Sequence, residues 1–289
     1  MNRLSTRNRM LVGLTLFSMF FGAGNLIFPP YLGAMAGTKT PLAMLGFAIT
    51  AIGFPILGVI AVAHAGSLDE LAGRVHPVFA KVFTLLIYLS IGPCLAIPRT
   101  ASTSFEMAVT PFLSGDTSKT MIQLIYSILF FAVAFYVSLS PEKLTHLLGR
   151  FTSPCLLILI GIMFVGCLLA PPAGYGESYG LYAQSPVLQG FLGGYQTMDA
   201  IAALNFGIII AMNINNRGVT ERSAVVKEIT YAGWIAGLIF LVVYGAIAHV
   251  GAVAGGAYGE LADGTAALTA ITRDLFGNAG IVLLGLIFL

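Results

Sequence analysis

The chain has 289 residues, of which 57% are hydrophobic and only 9% charged, and its formal net charge is +2. A soluble domain carries about 25% charged residues because its surface has to be solvated, so this composition excludes a soluble enzyme and a nucleic-acid-binding protein. A membrane crossing takes about 20 apolar residues, and about eight crossings fit in this length.

Apolar runs alternate with short polar segments, which predicts an all-α polytopic membrane protein. The predicted spans one to eight are Leu11–Ala36, Pro41–Ala63, Phe79–Val109, Met121–Leu139, Leu147–Ala170, Val187–Asn213, Val225–Val250 and Asn278–Leu289. The eighth run makes only about 18 Å of helix, whereas a hydrocarbon core is about 30 Å thick. We therefore expect the eighth span to be incomplete and the chain to be truncated at its C-terminus.

The basic residues predict the orientation, because Lys and Arg accumulate in cytoplasmic segments. A cytoplasmic N-terminus places ten of them inside and three outside. The inner ones are Arg3, Arg7, Arg9, Arg74, Lys81, Lys143, Arg150, Arg217, Arg222 and Lys227, and the outer ones are Lys39, Lys119 and Arg273.

Two spans contain sequences that break a helix. In span one, the stretch 20–30 combines Gly-Ala-Gly-Asn with a Pro-Pro pair, which removes helical hydrogen bonds. In span six, the stretch 190–199 combines a Gly-Gly pair with Gln, Thr and an intramembrane carboxylate. The breaks are five spans apart, so the two broken segments run in opposite directions. Paired breaks in antiparallel spans are typical of secondary transporters built from inverted repeats.

Three motifs carry a resemblance to a known family. They are Phe-Phe-Gly-Ala-Gly-Asn-Leu-Ile-Phe-Pro-Pro, Gly-Gly-Tyr-Gln-Thr-Met-Asp-Ala and Gly-Pro-Cys-Leu-Ala-Ile-Pro-Arg. The chain closely resembles the bacterial branched-chain amino acid transport system II carrier family over its whole length. The resemblance implies a cation-coupled symporter of the bacterial inner membrane that imports leucine, isoleucine and valine by alternating access. It also implies a LeuT-like fold with two inverted five-span repeats, here residues 1–170 and an incomplete second repeat at 187–289.

An amino acid in a dry site needs donors for its carboxylate, acceptors for its ammonium and an apolar pocket. Glycine amides in the first break suit the carboxylate, and glycine carbonyls in the second suit the ammonium. Asp199 is an intramembrane carboxylate, so we expect it to meet the ammonium, to ligate the cation or to carry a proton. Ordinary packing remains open for the apolar residues, and a bond to a neighbouring helix remains open for Asp199. The predicted substrate-binding residues are Gly22, Ala23, Gly24, Asn25, Cys94, Ile97, Phe191, Gly193, Gly194, Met198 and Asp199.

The resemblance further implies that the side-chain oxygen of Asn25 ligates a sodium ion beside the substrate carboxylate. The coupling cation itself is sodium or a proton. A hard cation prefers oxygen ligands, and the hydroxyl of Thr197 is a further candidate. A second cation site would use carbonyls near Ser18 and Phe21. Its hydroxyl partners would lie in the later part of span eight, beyond Leu289.

Arg99 lies near the predicted outer end of span three, where we expect its side chain to snorkel to the interface; a role as an outer gate is the alternative. The sequence contains no nucleophile–base pair, P-loop or dinucleotide motif, so we expect neither an enzyme nor a cofactor beyond the coupling cation. We expect the lipid bilayer as surroundings and no obligatory protein partner or nucleic acid. The alternatives are an importer of another neutral amino acid or small amine, an ion channel and a membrane-embedded enzyme.

Overall fold

The computed structural model describes residues 3–113, 118–139 and 153–288, and the regular elements within these ranges are helices. The α-helices are α1 (Thr6–Phe20), α2 (Ala23–Ala36), α3 (Thr40–Ala48), α4 (Phe54–Ala65), α5 (Leu68–Gly73), α6 (Pro77–Leu89), α7 (Ala96–Ala108), α8 (Lys119–Ser138), α9 (Ser153–Leu169), α10 (Gly180–Gln184), α11 (Pro186–Tyr195), α12 (Asp199–Asn215), α13 (Arg222–Tyr258) and α14 (Gly264–Phe288). One turn of π-helix joins α3 to α4 and another joins α6 to α7.

The described part of the chain contains five helical segments that are long and apolar enough to cross a membrane, or six if the bent pair α11–α12 is one span. This is the architecture of an all-helical polytopic membrane protein, as predicted. The longest segment, Ala23–Ala65, has 43 residues and changes direction at Gly37, where φ is +50°. It contains the end of the first predicted span and the whole of the second. The count of eight spans stays a prediction.

Some of the predicted features lie outside the described residues. They are the start of span five at Leu147, the inner basic residues Lys143 and Arg150, and the last residue of span eight, Leu289.

The first break lies at Phe21 and Gly22, between α1 and α2. The expectation that the proline pair also interrupts the helix is wrong, because α2 continues through Pro29 and Pro30 to Ala36. Each proline removes only one helical N–H donor. Close packing on α13 holds the helix together: a Cβ on Gly251 would lie 2.0 Å from the carbonyl oxygen of Pro30.

The second break lies between Tyr195 and Asp199, where the axes of α11 and α12 bend by 46°. Met198 occupies the left-handed region there, with φ of 68°. A left-handed residue other than glycine is strained, and such strain concentrates at functional sites. The predicted break in span six is therefore present, at the C-terminal end of the predicted stretch.

The two broken spans pack in a reciprocal way. Both halves of the first, α1 and α2, pack along α13, which follows the second break in the chain. Both halves of the second, α11 and α12, pack along α3 and α4, which follow the first break. Each broken span thus packs against the helical segment that follows the other broken span in the chain.

One end of the bundle collects segments predicted for the inner side. Arg9 forms a two-pronged salt bridge with the buried carboxylate of Glu228, with nitrogen–oxygen distances of 2.6 and 2.7 Å. At the same end, Arg222 donates to the carbonyl of His64 at 2.5 Å. The N-terminal helix and the loops that follow the second and sixth predicted spans therefore lie together.

The opposite end collects segments predicted for the outer side. Lys39 donates through Nζ to the carbonyl of Ala183 at 2.5 Å, and the amide of Thr38 donates to the carbonyl of Gly176 at 3.1 Å. These contacts join the loop after α2 to the segment between α9 and α11.

Candidate substrate and cation site

A buried hydrogen-bonded group joins the two broken spans. The Nδ2 group of Asn25 in α2 donates to Oδ2 of Asp199 in α12 at 2.5 Å and also to the hydroxyl of Tyr244 in α13. That hydroxyl lies 3.4 Å from the same carboxylate oxygen, to which it donates. Asn25, Asp199 and Tyr244 are 1%, 4% and 0% exposed. We call these three residues the polar node.

The break itself orients Asn25. The Oδ1 atom of Asn25 accepts a hydrogen bond from the amide of Gly22 at 2.9 Å, which caps the first turn of α2. This bond turns the amide nitrogen of the side chain towards Asp199. An amide oxygen has two acceptor positions, and Gly22 takes one of them. The predicted cation-ligating atom is therefore held at the break.

Thr197 lies in the second break beside Asp199 and is 4% exposed. Its hydroxyl donates to the carbonyl of Gly194 at 2.9 Å and accepts from the amide of Asp199 at 3.4 Å. The carbonyl of Gly193 accepts from the amide of Gln196 at 3.1 Å. The two glycine carbonyls predicted to bind the substrate ammonium thus also close the last turn of α11.

The predicted snorkelling of Arg99 is wrong. Its guanidinium points into the second break and donates to the carbonyls of Gln196 at 2.8 Å and Thr197 at 3.2 Å. It also lies over the ring of Phe28, 5.6 Å from its centre. A broken helix has carbonyls without helical partners, and here these acceptors draw the arginine inwards.

The residues predicted to form the apolar pocket lie outside the polar node or are exposed. Phe191 packs edge-on against Phe54 of α4 and Tyr195, with ring centres 6.1 and 5.4 Å apart. Cys94 and Ile97 are exposed, and Met198 is half-buried at the strained turn. The structure thus brings the polar residues Asn25, Thr197 and Asp199 together. The apolar residue Phe191 instead packs on α4, which belongs to the second predicted span.

The residues predicted for a second cation site lie at the end of α1. The hydroxyl of Ser18 donates to the carbonyl of Leu14 at 2.9 Å, and Phe21 stacks on Phe240 at 6.1 Å. Carbonyls in the last turn of a helix have no donor further along it. The cation role of this turn stays a prediction.

The residue that sequence reasoning missed is Tyr244. Its run, Leu-Val-Val-Tyr-Gly-Ala, is otherwise apolar, so the pattern of the span does not single out this residue. A signal was present, because a tyrosine in the middle of a span must find a partner for its hydroxyl.

Comparison with known proteins places the chain in a family. The family model described as "Branched-chain amino acid transport protein" matches residues 5–289. The branched-chain amino acid permease BraB of Bacillus subtilis is 38% identical over 283 residues, which are 98% of this chain and 63% of that protein. The permease BrnQ of the same bacterium is 40% identical over 286 residues, covering 98% of this chain and 65% of the relative. BrnQ of Escherichia coli is 36% identical over 290 residues, with coverages of 100% and 65%.

The chain therefore spans 63% to 65% of the length of these relatives. No solved structure matches the chain. The relatives are permeases, and the family that matches consists of transport proteins rather than enzymes. The resemblance seen in the three motifs is confirmed: this protein belongs to the branched-chain amino acid transport protein family.

Proposed function

We propose that the protein is a cation-coupled symporter that imports leucine, isoleucine and valine across the bacterial inner membrane by alternating access. The relatives described above are branched-chain amino acid permeases, and they indicate the substrate class. The observation that carries the proposal is the polar node, which joins the breaks of two spans through Asn25 and Asp199. Transporters with paired broken helices bind substrate and ion where the breaks meet.

The reciprocal packing of the broken spans supports a LeuT-like inverted repeat. A two-fold axis in the membrane plane would exchange span one with span six and span two with span seven. The contacts of α1 and α2 with α13, and of α11 and α12 with α3 and α4, are the pairs that such an axis interchanges.

The first break offers both polarities that a zwitterion and a cation require. The N-terminal turn of α2 presents amides of Ala23 and Gly24 at the positive end of a helix dipole, which favours a carboxylate. The carbonyls that end α1 favour a cation. We place a coupling sodium ion at Asn25 Oδ1 and Thr197 Oγ1. Asp199 accepts the substrate ammonium or, if the coupling cation is a proton, carries it.

The grouping of polar contacts at two ends of the bundle supports an N-terminus in the cytoplasm. The Arg9–Glu228 pair and the Arg222–His64 contact lie at the proposed inner end, and Lys39 lies at the other. Basic residues dominate the first group, in keeping with the preference of Lys and Arg for the cytoplasmic side.

The experiment that tests the proposal is leucine uptake by the purified full-length protein in proteoliposomes. An inward sodium gradient and, separately, an inward proton gradient are imposed, and radiolabelled leucine is measured. Uptake that rises under one gradient and is inhibited by isoleucine and valine would support a coupled branched-chain symporter.

Two results would contradict the proposal. Cation flux that needs no amino acid would indicate an ion channel. Leucine uptake unaffected by either gradient, combined with strong inhibition by unbranched amino acids or small amines, would favour an uncoupled importer with other substrates.

A further inference from the structure

Arg99 stands where the two breaks meet, although it belongs to neither broken span. Its guanidinium donates to the carbonyls of the second break, at Gln196 and Thr197. It also reaches the first break: a Cβ on Gly24 would lie 2.7 Å from the Nη2 atom. Only a glycine at position 24 lets the guanidinium come so close to the first turn of α2.

The guanidinium has hydrogen-bonding capacity that these contacts do not use. An arginine presents five N–H donors, and the two carbonyls take two of them. Among the described residues, no hydrogen-bond partner meets the Nε atom, which is fully buried. A buried cationic donor without an acceptor is costly, so the atom is placed for a ligand that brings one.

The geometry of the free donors selects the ligand. Nε–H and the adjacent Nη2–H form the side edge of the guanidinium, and two parallel N–H groups match the two oxygens of a carboxylate. The guanidinium also adjoins the positive end of the α2 dipole. The guanidinium of Arg99 and the N-terminus of α2 are both positive, and an anion placed between them is attracted to both.

We infer that Arg99 binds the α-carboxylate of the transported amino acid, bridging the first turn of α2 and the second break. This inference rests on the proposed function, since it names the residue that distinguishes an amino acid from an amine at the same site. Asp199, the acidic group of the second break, is then the counterpart for the ammonium. The carboxylate is read by a side chain of the third predicted span as well as by backbone amides.

The test compares leucine with leucinamide, which keeps the side chain and the ammonium but lacks the carboxylate charge. Binding of each compound is measured by titration calorimetry on the purified protein and on the variant Arg99→Gln. We expect the unaltered protein to bind leucine about 10- to 100-fold more tightly than leucinamide, the factor of a hydrogen-bonded charge. In Arg99→Gln, the affinity for leucine should fall to that for leucinamide, while the affinity for leucinamide changes less than about threefold.

Two variants make the comparison specific. Arg99→Lys keeps a positive charge without the two-pronged edge, so it should retain part of the preference for leucine; it also serves if the glutamine variant does not fold. Arg273→Gln removes an exposed arginine of α14 and should leave both affinities unchanged.

The failures of the two proposals are distinguishable. If leucine and leucinamide lose affinity by the same factor in Arg99→Gln, the arginine is a clamp on the second break and the inference is overturned, while the proposed function stands. If Arg99→Gln changes neither affinity, the inference is overturned as well. If the unaltered protein binds neither compound, the proposed function fails first.

Discussion

Asn25 connects the first break to the second through the two ends of a single amide. The oxygen caps α2 by accepting from Gly22, and the nitrogen reaches Asp199 across the interface between the broken spans. A substitution at this position therefore disturbs the start of a helix, a contact between spans and the proposed cation site together. The predictions at this scale separate those effects.

Asn25→Ala removes one oxygen ligand from the proposed cation site. The apparent affinity for the coupling cation should fall by roughly tenfold, the loss expected for an interaction of about 1.4 kcal/mol. Because binding of cation and substrate is reciprocally linked, leucine affinity should fall as well. Leucine uptake measured at increasing cation concentrations should therefore recover in part. A cation dependence identical to that of the unaltered protein would remove Asn25 from the site.

Asp199→Asn keeps the shape of the side chain but removes its charge. If Asp199 receives the ammonium or carries a proton, uptake should be lost at every cation concentration, or its dependence on pH should disappear. If the carboxylate only links α12 to α2 and α13, asparagine should substitute at a cost of about 1 kcal/mol. Leucine uptake measured across a pH series distinguishes the two roles, and near-normal kinetics would assign Asp199 to the structure alone.

Tyr244→Phe removes only the hydroxyl of the polar node. The fully buried carboxylate and amide then lose one partner, which should lower the free energy of unfolding by about 1–3 kcal/mol. Leucine affinity should change little, since the proposed ligands remain. Thermal unfolding in detergent, followed beside leucine binding, checks both parts. A large loss of binding without a loss of stability would place the hydroxyl in the substrate site instead.

At the scale of single residues, the sequence predicts which side chains belong to the site better than it predicts where a side chain points. Asn25, Thr197 and Asp199 stand out because polar residues in an apolar span need partners, and they do lie together. The direction of Arg99 was not predictable, because the carbonyls of Gln196 and Thr197 become acceptors only when the second break bends towards α7.

At the scale of the helices, close packing decides what the chain tolerates. The glycines of α13 are not equivalent: Gly251 faces the carbonyl of Pro30, whereas a Cβ on Gly245 would have no neighbour within 4 Å. The close contact between Gly251 and Pro30 explains why α2 continues through a proline pair. The helix is held from outside, so two missing hydrogen bonds do not end it.

Gly251→Ala should separate α2 from α13, because the new Cβ would lie 2.0 Å from a backbone oxygen. We expect a loss of at least about 1–3 kcal/mol, the usual effect of overpacking. Gly245→Ala is the matched control in the same helix and should be neutral or stabilising by up to about 1 kcal/mol, since alanine favours helix. Melting temperatures of the two variants test the contrast; equal melting temperatures would contradict the close crossing.

The same packing marks a limit of sequence reasoning. A proline pair in a span predicts a break from local hydrogen bonding alone, and the prediction was wrong because it ignored the neighbour. The glycine breaks at Gly22 and after Gly194 were found, since a weak helix former beside a polar residue fails locally, whatever packs against it.

At the scale of the whole molecule, sidedness is the property to measure. Thr38 and Asn216 are both exposed, and they lie in the loops after α2 and α12. With the three native cysteines replaced, Thr38→Cys should react with an impermeant thiol reagent from outside intact cells. Asn216→Cys should react only after the membrane is permeabilised. The reverse pattern would invert the proposed orientation.

The order of apolar runs gave the helical class and the positions of most helices, because both follow from local composition. The reciprocal packing of the broken spans was expected only through the inverted-repeat pattern, and composition alone does not contain it. The reason is physical: pairs such as α2 with α13 are chosen by glycine-lined surfaces more than 200 residues apart in the chain.

The continuous helix α13 spans the first break and contacts the helices on both sides of it. It is bonded to Arg9 of α1 through Glu228 and to Asn25 of α2 through Tyr244. The two anchor points are 16 residues apart, or about 24 Å along the helix axis. The joint at Phe21 and Gly22 therefore has a contact with the same helix on either side. For α1 to swing while α2 stays in place, both the Arg9–Glu228 pair and the packing of Phe17 on Phe240 have to open.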